Sequence, residues 1–213
     1  MFLMRRPAVS GRLPKLMDSD QQAALEQAWA LLADGAAKRR HAMHTPVLAG
    51  VTAEGLPDQR IMVLREAAAD LALLRLHTDA RSPKVTQLDG RPVHVLAYDA
   101  GAAIQLRIEG KGRIERNGRR VEAIWAEATC FARRCYLAEA APGTVRVTPG
   151  SGLPPEVEGH QPNEEQLVPA RANFAILLVE VSAIDWLHLA NSGHRRCRFE
   201  RNGTDWSASW LQP

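Results

Sequence analysis

The chain has 213 residues, enough for one large domain or two small ones, with 46% hydrophobic and 24% charged residues. That balance excludes a mainly disordered, fibrous or collagen-like polypeptide. A formal charge of +3 and a pI near 9.0 mark a mild basic excess, not the dense basic stripe of a dedicated nucleic-acid binder.

Residues 1–17 read as a loose arm ahead of a single domain over 18–213. The apolar residues of the start precede its charges, Arg5-Arg6, which is the reverse of a secretory signal. Ser19 and Gln22 then form a capping-box pair. Leu25, Ala28, Trp29 and Leu32 follow at helical spacing, and Gly35 marks the stop. Trp29 is read as a core anchor.

From Thr45 the pattern is that of strands. Pro46 to Thr52 and Arg60 to Arg65 flank the turn at Glu54-Gly55 and read as a hairpin. Leu71 to His77 is a third strand. Ser82-Pro83 opens a short helix that ends at Asp89-Gly90. Pro92 to Tyr98 and Ala103 to Glu115 are further strands; in the second, Ile104, Leu106 and Ile108 alternate with Gln105, Arg107 and Glu109. Asn117-Gly118 is a turn before a helix carrying Val121, Ile124, Trp125 and Ala128.

Residues 140–169 concentrate proline and glycine and read as a mobile excursion, since a loop of that length inside a domain is unusual. Strands follow at Asn173 to Val181, Ala183 to Leu189, Arg196 to Arg201 and Asp205 to Leu211, the last two joined at Asn202-Gly203. Sequential hairpins make a mainly β fold, an antiparallel barrel with peripheral helices.

The most apolar window, Phe174 to Val179, is too short to span a bilayer. Three cysteines without Cys-x-x-Cys or Cys/His spacing argue against a disulfide framework and structural zinc; they fit the reducing cytoplasm. The pairs Arg119-Arg120, Arg133-Arg134 and Arg195-Arg196 read mostly as solvated surface. No nucleophile elbow, phosphate-binding P-loop, dinucleotide fingerprint or metal-ligand motif occurs, so no catalytic residue is named. What remains is an anion-binding set: the Ser82-Pro83 helix start, Arg81 and Lys84 beside it, and Arg60 on a neighbouring strand. On these residues alone, a plain helix cap competes with a phosphate site.

Arg60-Ile61-Met62-Val63-Leu64-Arg65, His77-Thr78, Ser82-Pro83-Lys84 and the strand with Gln105 follow one another in the order of the pyridoxamine 5'-phosphate oxidase superfamily. Ile184-Asp185-Trp186-Leu187, Arg198-Phe199 and Trp210-Leu211-Gln212-Pro213 are similar to its closing elements. The resemblance runs from about Thr45 to Pro213. It implies an FMN-binding split barrel, a homodimer acting on a small-molecule substrate, without nucleic acid or membrane.

Carried over, Arg60 contacts the FMN phosphate, with Thr78, Ser82 and Lys84 completing the cradle. The backbone at Met62, Val63 and Leu64 lines the ring. Gln105 reaches the flavin across the dimer interface, and Arg198 approaches it with Trp186 nearby. Arg65 and His77 belong to the same set.

The sequence departs from the family in three places. Pro83 replaces a phosphate-binding Arg, for which Arg81 is the substitute. His77 replaces a Tyr. The family's R-L-H substrate motif reads His194-Arg195-Arg196, and its substrate Lys is Arg65. The FMN elements are therefore kept better than those for vitamin B6 phosphates. Two readings follow: an oxidoreductase moving hydride between a small substrate and FMN, or a protein that holds a flavin or another flat anion without turnover.

Overall fold

The longest strand organises the molecule. The computed structural model describes residues 17–213, so the expected N-terminal arm lies, but for Met17, outside the described residues. Strand β7 (Phe174–His188) pairs along one edge with β6 (Ile104–Glu115). Its other edge is shared: the first half pairs with β4 (Leu73–Asp79) and the second with β8 (Arg195–Asn202), which continues to β9 (Asp205–Leu211). With β1 (Val47–Val51), β2 (Pro57–Ile61), β3 (Leu64–Ala68) and β5 (Pro92–Asp99), the order along the main path is β2-β1-β5-β6-β7-β4-β3. Every pairing is antiparallel, and the sheet is an open, split barrel with peripheral helices, as expected.

Two strand boundaries differ from the sequence reading. The run Arg60 to Arg65 is not one strand: β2 ends at Ile61 and β3 starts at Leu64, on opposite ends of the sheet path. The chain crosses from one end of the path to the other at Met62-Val63, anchored where the Met62 amide donates to the Pro46 carbonyl at 3.0 Å. Conversely, the strands expected at 173–181 and 183–189 are one. Ser182 is a bulge, skipped where the register of β6 and β7 shifts at Glu109/Gly110, and its hydroxyl donates to the Glu109 carbonyl at 3.2 Å.

Helix α1 (Ser19–Ala37) is capped one residue earlier than the sequence suggests, by Asp18 and Gln21. It also runs past Gly35. That glycine is there for close approach, because a Cβ would lie 2.7 Å from Met43. The apolar face of α1 joins Leu48, Leu64, Leu74, Ile108, Trp186 and Phe199 in the main core. Trp29 is buried there, edge-on to Trp206 at 6.4 Å, as the anchor reading expects.

A second, smaller core forms on the other face of β4 and β7. Helix α3 (Arg119–Glu127), a short turn α4 (Cys130–Arg133) running on into a 3₁₀ turn at Arg134–Leu137, and α5 (Glu164–Leu167) cover that face. Val121, Tyr136, Leu167, Phe174 and Ile176 are buried between them. The Pro/Gly-rich segment is thus not a structureless excursion throughout: α5 and a 3₁₀ turn at Val168–Asn173 end it, and Val157 is buried. No helix among the described residues is long and apolar enough to cross a membrane.

Helix α2 (Lys84–Leu88) lies against β6 so closely that a Cβ on Gly112 would sit 2.2 Å from the Leu88 carbonyl oxygen. Gly112→Ala must push a backbone aside, and overpacking of this kind costs roughly 1–3 kcal/mol. Thermal unfolding should show a melting point several degrees lower; an unchanged midpoint would mean that α2 is free to shift.

Candidate functional site

The crossing at Met62-Val63 leaves a space beneath α4. This cavity, about 240 Å³, is lined by Met62, Val63, Arg65, His77 and Lys84 from the first half of the chain, and by Arg133, Cys135, Tyr136 and Phe174 from the second. Five residues singled out from the sequence therefore meet here, from the crossing, β3, β4 and α2.

Lys84 is half-buried and has no ion-pair partner among the described residues. Burial, and then the Arg60 charge, pull its ammonium below the usual lysine range. Arg60 faces α2 from β2. Its Nη2 donates to Asp58 and, at 2.9 Å, to the Gln87 side chain. Its Nη1 is buried and has no hydrogen-bond partner. Thr78 and Ser82 are buried; the Ser82 amide donates to the Asp79 carbonyl at 3.1 Å, while its hydroxyl makes no hydrogen bond among the described residues. The α2 helix starts with Pro83 at its cap and no side-chain cap bond, so Ser82 is not the cap the sequence suggested.

Arg81 stands apart from this group. Its Nε and Nη2 donate to the two Asp79 oxygens at 3.0 and 2.8 Å, and its Nη1 to the Glu139 carbonyl at 3.3 Å. All three of its nitrogens are thus engaged within the chain.

His77 lines the cavity with its ring edge-on to Phe174 at 5.0 Å. Burial first, then the Arg75 and Arg65 charges, lower its pKa to about 3. Around Phe174 stand Trp125 and Tyr136, with centroids 5.2 and 5.1 Å away. Burial pushes the Tyr136 phenol and the Cys135 thiol upward, so neither is an ionised nucleophile at neutral pH.

Arg133 is the residue that sequence reasoning missed. It was grouped with surface arginine pairs, but it is buried against the cavity. Its two terminal nitrogens hold Glu164 at 2.9 and 2.6 Å, its plane lies 5.2 Å from the Trp125 ring, and its Nε has no partner. The available signal was the cap at Thr129, which starts a short turn and places Arg133 one turn later.

Gln105 and Arg198 lie elsewhere. They face outward from β6 and β8, on the surface that also carries Val47, Leu96, Tyr98 and Arg107. A second cavity of about 220 Å³ is lined by Gln59, His94, Gln105 and Arg107 there. Arg198 holds Glu109 at 2.8 and 3.1 Å, and Arg196 holds the buried Asp185 at 2.9 and 2.6 Å. Strand β8 pairs without a register shift, so Arg195 turns to the opposite face, over Trp186 at 5.8 Å. Trp186 belongs to that inner face and to the main core; Leu187 is the residue beside Gln105 on the outside.

Residues 25–116 match the family model described as pyridoxamine 5'-phosphate oxidase, FMN-binding domain. Among curated proteins nothing matches the chain. Among solved structures, a pyridoxamine 5'-phosphate oxidase-related, FMN-binding protein from Nostoc punctiforme is 25% identical. That match has a TM-score of 0.69 and covers 88% of this chain and 96% of that one. PhzG from Burkholderia lata, solved with tetrahydrophenazine-1-carboxylic acid, is 17% identical over 94% of this chain and 99% of that one, with a TM-score of 0.63. A Clostridium acetobutylicum protein related to general stress protein 26 shares the fold at 11% identity and a TM-score of 0.55, over 87% and 99% of the two chains.

The buried imidazole ties stability to pH. Its pKa is about 3 folded against 6.5 for the free side chain, so the unfolded chain takes up the proton first as pH falls. The stability it supports is complete above about pH 6.5 and falls by roughly 1.4 kcal/mol per pH unit toward pH 3. Urea unfolding at pH 7, 5 and 4 should give His77→Asn a shallower acid slope by one proton; equal slopes would place the imidazole in solvent.

Proposed function

Because the chain belongs to the pyridoxamine 5'-phosphate oxidase-like superfamily of FMN-binding split barrels, we propose that it binds FMN as a homodimer and works as an oxidoreductase on a small molecule. The observation that carries this reading is the pair of under-compensated cations at the crossing. Lys84 is half-buried without an ion pair, and the adjacent Arg60 has a buried nitrogen without an acceptor. A phosphate dianion supplies what both lack, and the Ser82 hydroxyl adds a donor.

In this reading Arg60, Ser82 and Lys84, with Thr78, hold the phosphate. The backbone at Met62, Val63 and Leu64 forms the wall for the ring, and Arg65 and His77 line the remaining space. Arg81 and Trp186 drop out, since one is taken by Asp79 and the other packs in the core. Bound FMN supplies the hydride chemistry; the protein positions the substrate and sets the ring's surroundings. Gln105 and Arg198 face away from Arg60 and Lys84, so they join a flavin site only when a second copy presents its outer face. The exposed Leu96 and Tyr98 give that face apolar area to bury. A cytoplasmic setting goes with this reading, in line with three unpaired cysteines.

Lys84→Ala should weaken FMN binding by roughly 1.5–3 kcal/mol, the range for a hydrogen bond to a charged group. Riboflavin, which lacks the phosphate, should bind both proteins alike in a fluorescence titration. Equal losses for the two ligands would remove Lys84 from the phosphate. Light scattering on the FMN-loaded protein should give twice 23.4 kDa; a monomer that binds FMN firmly would take Gln105 and Arg198 out of the site. Anaerobic bleaching of the bound flavin by an added hydride donor is the expected mark of an oxidoreductase. A flavin that no donor bleaches would leave the protein a holder of FMN.

A further inference from the structure

The His77 ring on the cavity wall is held by two neighbours. Arg75 precedes it by two residues on the same face of β4 and places Nη1 2.7 Å from His77 Nε2. A guanidinium carries donors only, so Nε2 must be the acceptor and the ring proton sits on Nδ1. Arg75 is held in turn by Glu66, which accepts from its Nε at 2.7 Å. Phe174 fixes the ring plane from the side. Nδ1 makes no hydrogen bond among the described residues, and it is not one of the buried polar atoms sealed without a partner. With Nε2 facing Arg75 and Phe174 against the ring, the cavity that His77 lines is the space left for a partner of Nδ1.

A second proton is unfavourable there. The ring is buried, Arg75 and Arg65 set positive charge beside it, and Lys84 and Arg133 line the same cavity, where Cys135 and Tyr136 stay protonated and neutral. The ring is therefore a donor of one fixed direction, without a charge of its own.

We propose that His77 is a specificity-determining residue of this site: a neutral Nδ1–H donor, set by the Glu66–Arg75 relay, that selects a ligand presenting a carbonyl oxygen or ring-nitrogen acceptor to it. Arg75 is the positioning residue, acting through the imidazole. The inference rests on the reading of the cavity as a flavin site and names what the ring side of that site recognises. A ligand group that can only donate, such as an ammonium, meets a donor and is rejected.

The test begins with wild-type protein and FMN, followed by flavin fluorescence. Binding by the wild type establishes the flavin reading separately; its absence would overturn both. His77→Phe keeps a flat ring against Phe174 and removes the donor, and FMN binding should weaken about tenfold, the contribution of one ordinary hydrogen bond. His77→Asn carries an amide N–H near the Nδ1 position and should restore affinity to within about threefold. Equal affinity in all three proteins, or a loss that Asn does not restore, would overturn the assignment. Nitrogen NMR of the unmutated protein gives an answer that needs no variant. The His77 ring should show a protonated Nδ1 and a bare Nε2 at pH 7, and the Nδ1 signal should move on FMN addition. The opposite tautomer, a doubly protonated ring, or a signal indifferent to FMN would overturn it.

Discussion

Strand β7 must be apolar on both faces at once, and the rest of the structure follows from that demand. From Phe174 to Val179 every residue is buried, because the main core lies on one side and the α3–α5 core on the other. A strand in that position also needs ladder partners on both edges, since an unpaired buried amide costs as much as a lost hydrogen bond. β6 supplies one edge throughout, while β4 and β8 divide the other. The division leaves β3 and β2 at the two ends of the path, and the chain has to cross between those ends at Met62-Val63. The cavity sits at that crossing, so the site is a product of how β7 is paired.

The site collects cations, and the fold tolerates them by unequal compensation. Asp58 and Asp79 each answer one arginine, and Glu164 answers Arg133 from the far end of the Pro/Gly-rich segment. Lys84 receives nothing comparable. Burying a charge without a partner is unfavourable, and residues so placed concentrate where a ligand completes the balance. The distinction between answered and unanswered cations separates Arg81 from Lys84 more sharply than their nearness in sequence.

Much of this was legible beforehand, for identifiable reasons. Alternation in β6, the turn at Asn117-Gly118 and the continuous apolar run of β7 each have a strong local cause. The break at Met62-Val63 has none: four apolar residues in a row, Ile61 to Leu64, read as one strand, and only the distant partners of β2 and β3 divide it. Ser182 misled in the other direction. It reads as an end, but its side chain turns to solvent, as does that of Glu180, which meets Arg113 at 3.2 Å, and the strand passes through. Ser82 and Lys84 stood out because their spacing is local, and Arg60 because it opens the motif order of the resemblance. Arg133 did not, because its burial comes from Glu164, Trp125 and a core assembled from distant parts of the chain.

The outer face poses a different electrostatic problem. A twofold pairing sets each face against its own likeness, so an excess of arginine would meet the same excess across the interface. Arg196, Arg198 and Arg107 would create that excess. Within one chain, Asp185 is held by Arg196 and lies 3.6 Å from Arg107, and Glu109 is held by Arg198. The Arg198 contact draws the Glu109 carboxyl below the usual range, so the pair stays charged and matched well into acid. A face whose charges already cancel can be covered by a second copy with little penalty for unpaired charge, whereas removing one partner of such a pair would leave the other exposed to that penalty. The same matching limits what Arg198 and Arg196 can offer a ligand: an anion approaching this face competes with a carboxylate already in place. The incompletely compensated charge is thereby left at Lys84 and the unpartnered Arg60 nitrogen, away from the outer face, and that face is left to shape and apolar contact.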